Sequence, residues 1–149
     1  MEARYSVEHI NGISQKVIAS AFKVSNTLGR GYLEKVYEKA LTYECRKCGL
    51  LVEQQRRLVV MYDGTQVGEY VADLVVEDTI LIEVKAVRSI DPAHEAQSLN
   101  YLTATGLPLC LILNFTSRVD VRRIVGPKAP AFPPYQLVPD PVDSEIDRV

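Results

Sequence analysis

Residues 71–87 read VADLVVEDTILIEVKAV, two short apolar runs on either side of an acidic corner at 77–79. This pattern predicts two neighbouring antiparallel strands joined by that corner. Three charged residues interrupt the apolar runs, namely Asp73, Glu83 and Lys85. Because burying an unpaired charge is costly, these side chains require partners or a metal ion in a folded sheet.

The sequence on either side of this strand pair predicts the rest of an α/β fold. Helical and alternating apolar periods predict two helices over 13–28 and 33–48, three strands over 50–62, 66–76 and 80–87, a helix over 91–105, and strands over 107–115 and 119–125. The order α-α-β-β-β-α-β-β predicts a mixed sheet flanked by helices.

Capping and turn residues indicate where these elements begin and end. Asn11 is the expected N-cap of the first helix, and Asp63 with Gly64 is a strong hairpin signal between the first two strands. Asp91 is the expected N-cap of the third helix. The predicted inner stripe of that helix consists of small and apolar residues: Ala93, Ala96, Leu99 and Leu102.

Composition places few limits on function. One domain is expected over residues 1–126, followed by a proline-rich, acidic, flexible tail over 127–149. The net charge of −2 gives no basic bias, so a nucleic-acid function must depend on a local site. No membrane span or signal peptide is expected, and three cysteines without a secretory signal favour a cytoplasmic setting. A homo-oligomer is compatible with the sequence.

Strand alternation brings the three charged residues of the strand pair together. Glu83 and Lys85 share a face, and a three-residue corner sets Asp73 directly opposite Glu83, about 5 Å away at Cβ. Two such carboxylates repel each other, and Mg²⁺ or Mn²⁺ would relieve the repulsion. The alternative is a buried ion pair between Lys85 and one of the two acids, with no catalytic role.

The spacing of these residues resembles a known signature. Asp73, nine residues and then Glu83-Val84-Lys85 resemble the PD-(D/E)XK nuclease motif, with Ala72 in place of the proline. The predicted α-β-β-β-α-β order resembles the restriction-endonuclease-like core of that superfamily. From about residue 13 to 125 the chain resembles the GxxExxY branch of the superfamily, through GYLEKVY at 31–37 and the later stretches HEAQSLNYL and LILNF.

The resemblance implies further site residues on the helices. Glu34 is similar to the helical acid that serves as an additional metal ligand in the superfamily, although it would also complement the helix dipole, as Glu38 would. Gln97 and Tyr101 resemble the QxxxY pair that lines the active site, although Gln97 would also satisfy polar groups between helix and sheet. With such a site, His94 and Arg57 are candidates for contacts with substrate phosphates, although both would otherwise be solvated surface residues.

Three functional hypotheses follow. The first is a divalent-metal-dependent nuclease that hydrolyses DNA or RNA, with Asp73, Glu83 and Glu34 as metal ligands, Lys85 beside the attacking water and Gln97 as a further catalytic residue. The second is a non-catalytic module on a nuclease-like scaffold that binds nucleic acid or a protein partner used for targeting. The third is hydrolysis of a small phosphate ester at the same site.

Overall fold

The computed structural model describes residues 5–132 of the chain, which form a five-stranded mixed sheet and three helices. The elements in chain order are α1 (Val7–Leu28), α2 (Glu34–Lys47), β1 (Val52–Tyr62), β2 (Thr65–Val76), β3 (Ile80–Lys85), α3 (Pro92–Thr105), β4 (Leu109–Phe115) and β5 (Val119–Val125). This order confirms the predicted α/β architecture with a restriction-endonuclease-like core. No helix within the described range is long and apolar enough to span a membrane.

The strands lie in the sheet in sequence order, from β1 to β5. β1, β2 and β3 form the predicted antiparallel meander. The third helix then returns the chain so that β4 pairs in parallel with β3, and β5 adds an antiparallel edge. Every residue of β4 is buried, as its nearly continuous apolar sequence predicts.

Helices cover both faces of the sheet and create two hydrophobic cores. The larger core joins α1 and α2 to one face of the sheet through residues such as Val17, Phe22, Leu41, Ile82 and Leu111. The smaller core joins α3 to the opposite face through residues such as Leu102, Ala72, Leu81 and Ile112. This arrangement fixes which face each charged strand residue meets.

The start of α1 differs from the sequence prediction. The hydroxyl of Ser6 accepts a hydrogen bond from the backbone N–H of His9 at 3.1 Å and caps a helix that begins at Val7. The expected start at Ile13, with Asn11 as N-cap, is therefore wrong. Ile10 is fully buried one turn before Ile13 and continues the apolar stripe, but the polar residues around it hid this extension.

The inner face of α3 also differs from the prediction. Ala93, Ala96 and Leu99 are exposed, whereas Ser98 and Leu102 are buried against the sheet. The predicted stripe is therefore wrong except at Leu102. Alanine and serine differ little in size, so the sequence period did not reveal that this helix presents its serine face to the sheet.

The alternation of β2 side chains between the two cores is interrupted at Asp73. Ala72 packs in the smaller core, whereas Leu74, two residues later, packs in the larger one. The ladder with β1 omits the pair formed by Asp73 and Gln55, and Gln55 has a positive φ of 53°. Such a backbone conformation is uncommon for a residue with a side chain and clusters at functional sites. Regular strand alternation is therefore interrupted at Asp73.

The segment after β5 contacts the domain at one described position. Phe132 is half-buried and packs against the larger core, so the segment predicted as a flexible tail contacts the core at this residue. The expected flexible tail lies mostly outside the described residues, which end at 132. The domain boundary at residue 126 stays a prediction.

Candidate functional site

The acidic corner predicted between β2 and β3 sets the register of the site. β2 ends at Val76 and β3 begins at Ile80, which leaves three residues in the turn. Leu74 pairs with Ile82, and this register continued by one residue sets Asp73 opposite Glu83. The predicted three-residue corner is therefore present.

Glu83 is a buried carboxylate in the middle of the sheet, with 7% of its surface exposed. The hydroxyl of Tyr70 donates a hydrogen bond to its Oε1, and the backbone N–H of Asp73 also points to its carboxylate. Burial, followed by the charge of Asp73, raises the pKa of the Glu83 carboxyl to about 7, against the lowering effects of Tyr70 and Lys85. Glu83 therefore stays partly protonated near neutral pH unless a cation approaches.

Asp73 occupies the interruption in β2 and caps the neighbouring strand. Its Oδ2 accepts a hydrogen bond from the backbone N–H of Val84 at 2.8 Å. Burial raises the pKa of the Asp73 carboxyl, and the charges of Glu38 and Glu34 act in the same direction. The Val84 N–H and the charge of Lys85 oppose this rise. Asp73 and Glu83 thus lie side by side, each bonded to the backbone of the other's strand.

Lys85 completes the predicted strand signature. It lies two residues beyond Glu83, is half-buried, and its positive charge lowers the pKa of both Asp73 and Glu83. Within residues 5–132 its ammonium makes no ion pair with either acid at salt-bridge distance. The predicted alternative, a buried ion pair through Lys85, is therefore wrong for the described structure.

The start of α2 brings two more acids to this region. Glu34 is exposed, and its Oε2 accepts a hydrogen bond from the backbone N–H of Ala86 at 3.2 Å, directly after β3. Glu38 is buried, with 3% of its surface exposed, and accepts hydrogen bonds from Gln55 at 2.9 Å and from Lys35 at 3.3 Å. Glu34 therefore lies at the rim of the site and Glu38 beneath it.

Tyr37, the last residue of the GYLEKVY stretch, holds the loop before α2 in place. Its hydroxyl donates to the carbonyl of Gly29 at 2.7 Å and accepts from the N–H of Tyr32 at 3.2 Å. Its ring is fully buried and stacks on Phe115 of β4, with centroids 4.6 Å apart. The loop between α1 and α2 is thereby fixed, which places Glu34 at the end of β3.

Of the QxxxY pair predicted on α3, Tyr101 lies nearer to the carboxylates than Gln97 does. The ring of Tyr101 stacks on Tyr70 with centroids 3.6 Å apart, and Tyr70 in turn holds Glu83. Gln97 is exposed and lines a cavity of about 470 Å³ together with Tyr101 and Val60. Tyr101 thus reaches the carboxylates through one intervening residue, whereas Gln97 faces an adjoining cavity.

The two predicted phosphate contacts lie in different surroundings. The guanidinium of Arg57 is exposed on β1 and binds the carboxylate of Glu69 through two hydrogen bonds, one of them 2.9 Å long. The Nδ1 atom of His94 is buried and has no hydrogen-bond partner among residues 5–132. Neither residue contacts Asp73 or Glu83 through a described hydrogen bond, and their substrate roles stay predictions.

Two site residues escaped the sequence reasoning. Glu38 lies one helical turn beyond Glu34, so its i+4 spacing already placed both on one face of α2. Tyr70 precedes Asp73 by three residues and should face the other side of a regular strand; it meets Glu83 because β2 is interrupted between them. Only the Glu38 contact had a signal that sequence spacing could have shown.

The donor set determines what the site can bind. Within residues 5–132 there is no group of three or more His, Cys, Asp or Glu residues arranged to enclose a metal ion. Mg²⁺, however, usually keeps several water ligands and needs only one or two protein carboxylates. The adjacent carboxylates of Asp73 and Glu83, whose pKa values are raised by burial and by neighbouring acids, fit this second type of site.

Comparison with known proteins agrees with this geometry. The model of the PD-(D/E)XK nuclease superfamily matches residues 11–124, which is more than half of the chain. No curated protein and no solved structure matches the sequence. The matched range contains the strand pair, Lys85 and the two helices that contribute to the site. The chain therefore belongs to the PD-(D/E)XK nuclease superfamily.

Proposed function

We propose that the chain is a divalent-metal-dependent nuclease that hydrolyses phosphodiester bonds in DNA or RNA, as a member of the GxxExxY branch. The observation that carries the proposal is the juxtaposition of Asp73 and Glu83 beside Lys85. Glu83 is nearly inaccessible to water and its pKa is raised to about 7, which is unfavourable for a carboxylate with a purely structural role.

A divalent cation would remove this conflict. Asp73 and Glu83 would hold Mg²⁺ or Mn²⁺ through their carboxylates, and Glu34 would assist from the rim of the site. When bound, such an ion supplies a Lewis acid that lowers the pKa of water and offsets phosphate charge. Asp73 has a second carboxylate oxygen, Oδ1, beyond the Oδ2 that accepts the hydrogen bond from the Val84 N–H.

The remaining residues have roles that follow from their positions. Lys85 would stabilise negative charge on a phosphoryl oxygen and orient the attacking water, because its ammonium is close enough to influence both carboxyls. Tyr70 fixes the orientation of Glu83, and Tyr101 supports the ring of Tyr70 by stacking. We propose that Gln97 contacts the substrate at the adjoining cavity.

A cleavage assay tests the proposal. Purified full-length chain should cut labelled DNA or RNA in the presence of Mg²⁺ or Mn²⁺ and should stop when EDTA is added. Asp73→Asn should abolish cutting while keeping an oxygen acceptor for the Val84 N–H. Asp120→Asn, on the exposed edge strand β5, is the matched control and should cut normally. Equal cutting by wild type and Asp73→Asn would refute the assignment.

A second candidate is a non-catalytic module that binds nucleic acid or a protein partner. One observation favours it: Glu83 already has protein hydrogen bonds, from the Tyr70 hydroxyl and the Asp73 N–H, that partly satisfy it without an ion. This module would bind nucleic acid or its partner equally well in EDTA and would cut nothing in any divalent ion. Hydrolysis of a small phosphate ester is distinguished by assaying mononucleotide esters beside the polymers.

A further inference from the structure

A second concave surface adjoins the carboxylates at the end of the sheet. It has a volume of about 490 Å³ and is formed by three loops: the α1–α2 connection, the segment after β3 and the β4–β5 turn. β3 and β4 are parallel neighbours, so the cavity lies at the carboxyl ends of a parallel strand pair. Ligands of open α/β sheets bind preferentially at this edge.

The lining of this cavity is suited to an anion. Arg30 and Arg88 supply two guanidinium groups, Thr116 and Ser117 supply two hydroxyls, and the lining contains no acidic residue. Within residues 5–132 neither arginine is joined to a carboxylate in an ion pair. Guanidinium groups bind phosphate oxygens through pairs of hydrogen bonds, which makes phosphate the chemically matched ligand.

Buried side chains hold the Arg88 loop in place. Asn114 of β4 has only 1% of its surface exposed, and its amide makes two hydrogen bonds with the main chain of Val87, each 2.9 Å long. A buried amide that clamps both polar groups of the residue before Arg88 fixes the direction in which that loop leaves the strand. The Arg88 backbone is therefore ordered before any ligand arrives.

The Arg30 loop is fixed in the same way by Tyr37. The Tyr37 hydroxyl bonds to the main chain of Gly29 and Tyr32, the residues that bracket Arg30. The Tyr37 ring stacks on Phe115, which also lines the cavity. Preorganised loops lose little conformational entropy on binding. The main chain at both arginines is therefore held in place before a ligand binds.

The cavity is continuous with the site already described. Ala86 lines the cavity, and its N–H donates to Glu34 at 3.2 Å. Lys85, the residue before it, lies beside Asp73 and Glu83. A polymer lying across the end of β3 would therefore meet the carboxylates and the two arginines in succession.

We propose that Arg30 and Arg88 bind a phosphate group of the nucleic-acid strand, next to the phosphate held at Asp73, Glu83 and Lys85. This inference rests on the proposed function for its substrate class. The phosphate is either an internal diester or a terminal monoester, since both present the same anionic oxygens. The pocket then gives the chain a strand-binding surface in spite of its net charge of −2.

A different cavity provides the matched control. It measures about 340 Å³, is lined by Glu8, Glu77 and Lys16, and lies against the other end of α2 near Gly49. Its two acids make it unsuited to phosphate. Like the arginine variants, Lys16→Ala removes one exposed positive charge, but from a cavity away from the proposed strand path. It therefore measures the effect of net charge alone.

The test measures binding without cleavage, by fluorescence anisotropy of 3′-labelled DNA and RNA oligonucleotides in EDTA. Arg30→Ala and Arg88→Ala should each weaken binding about tenfold. Each should also reduce the slope of log K against log salt by about 0.9 on duplex or 0.7 on single strands, with little dependence on sequence. Arg30→Lys and Arg88→Lys should recover part of the affinity, and Lys16→Ala should bind as wild type.

The arms of this experiment distinguish the outcomes. A loss confined to 5′-phosphorylated oligonucleotides identifies a terminal phosphate, and an equal loss without that phosphate identifies an internal one. If wild type binds no oligonucleotide, or the Arg30→Ala/Arg88→Ala double variant keeps the affinity and salt slope of wild type, the pocket is overturned. Arginine-dependent binding by a chain that never cuts supports the pocket and refutes the nuclease, whereas cutting without arginine dependence does the reverse.

Discussion

Charges on the hairpin of β1 and β2 and charges between β2 and β3 are arranged in opposite ways. On the hairpin, the exposed side chains of Arg57 and Glu69 form an ion pair, so opposite charges lie next to each other. Between β2 and β3, the adjacent carboxylates of Asp73 and Glu83 carry like charges and are both partly or fully withdrawn from water. Exposed pairs contribute little to stability, whereas adjacent buried carboxylates oppose folding. The second arrangement is therefore the one for which we propose a functional role.

The largest difference between the two regions should appear in catalysis. Lys85→Met should lower the rate of metal-dependent cleavage about 100-fold or more, because it removes the cation proposed to stabilise charge on the phosphate. Lys39→Met, at an exposed position of α2, should cleave normally. Initial rates at saturating substrate give the comparison. Equal rates for both variants would mean that Lys85 has no role in the chemistry.

The next largest effect should appear in the dependence of stability on pH. The pKa of Glu83 is 4.5 in a free chain and about 7 when folded, so the folded state binds more protons between these values. The free energy of unfolding in EDTA should therefore fall as pH rises from 4.5 to about 7, by at most about 3 kcal/mol. The raised pKa of Asp73 acts in the same direction.

Glu83→Gln isolates the contribution of Glu83 to this pH dependence. Glutamine keeps an oxygen acceptor for the Tyr70 hydroxyl but carries no titrating proton, so most of the fall with pH should disappear. Denaturant unfolding at a series of pH values in EDTA measures it. Mn²⁺ added at high pH should raise the free energy of unfolding of the wild-type chain, because the ion binds the folded state. It should raise the free energy of unfolding of Glu83→Gln by less. Parallel pH profiles for the two proteins would contradict the assignment.

A smaller effect is expected at Tyr70. The Tyr70 hydroxyl lowers the pKa of Glu83, so this pKa should be higher in Tyr70→Phe. The free energy of unfolding of this variant should therefore continue to fall to a higher pH than that of wild type. Loss of the hydrogen bond should also destabilise the fold by about 1 kcal/mol. The phenyl ring still stacks on Tyr101. Tyr62→Phe, on the exposed tip of β1, is the control and should leave the pH profile unchanged.

The smallest effect should come from the exposed pair of Arg57 and Glu69. A double-mutant cycle with alanine at both positions should give a coupling free energy of about 0.2–1 kcal/mol, measured by denaturant unfolding. Turnover in the cleavage assay should stay unchanged in both single variants. A coupling free energy above about 2 kcal/mol would contradict the claim that this exposed ion pair contributes little to stability. A higher KM for Arg57→Ala alone would support its predicted contact with substrate.

The sequence predicted the element order and the strand register because both depend on local patterns. The three-residue corner at 77–79 and the alternation in β3 were sufficient to place Asp73 opposite Glu83. The same alternation failed within β2, where the ladder pair of Asp73 with Gln55 of β1 is missing and Tyr70 lies on the face of Glu83. That interruption depends on packing between separate elements, which no local period encodes.

The helices show the same limit. α3 turns its serine face to the sheet, and its Tyr101 stacks on Tyr70, a contact between residues 31 positions apart that the apolar period of α3 does not record. Glu38 was given only a dipole role, although it is held by Gln54 and Gln55 of β1. The superfamily resemblance named Glu34, but the hydrogen bond to Ala86 that places it required the folded chain.

The central claim is that Asp73 and Glu83 form a divalent cation site, and calorimetric titration of Mn²⁺ into the metal-free chain tests it most directly. Wild type and Asp120→Asn should bind the ion with the same affinity, and Asp73→Asn and Glu83→Gln should lose most of the binding. Failure of wild type to bind Mn²⁺, or equal binding by Asp73→Asn, would contradict the claim.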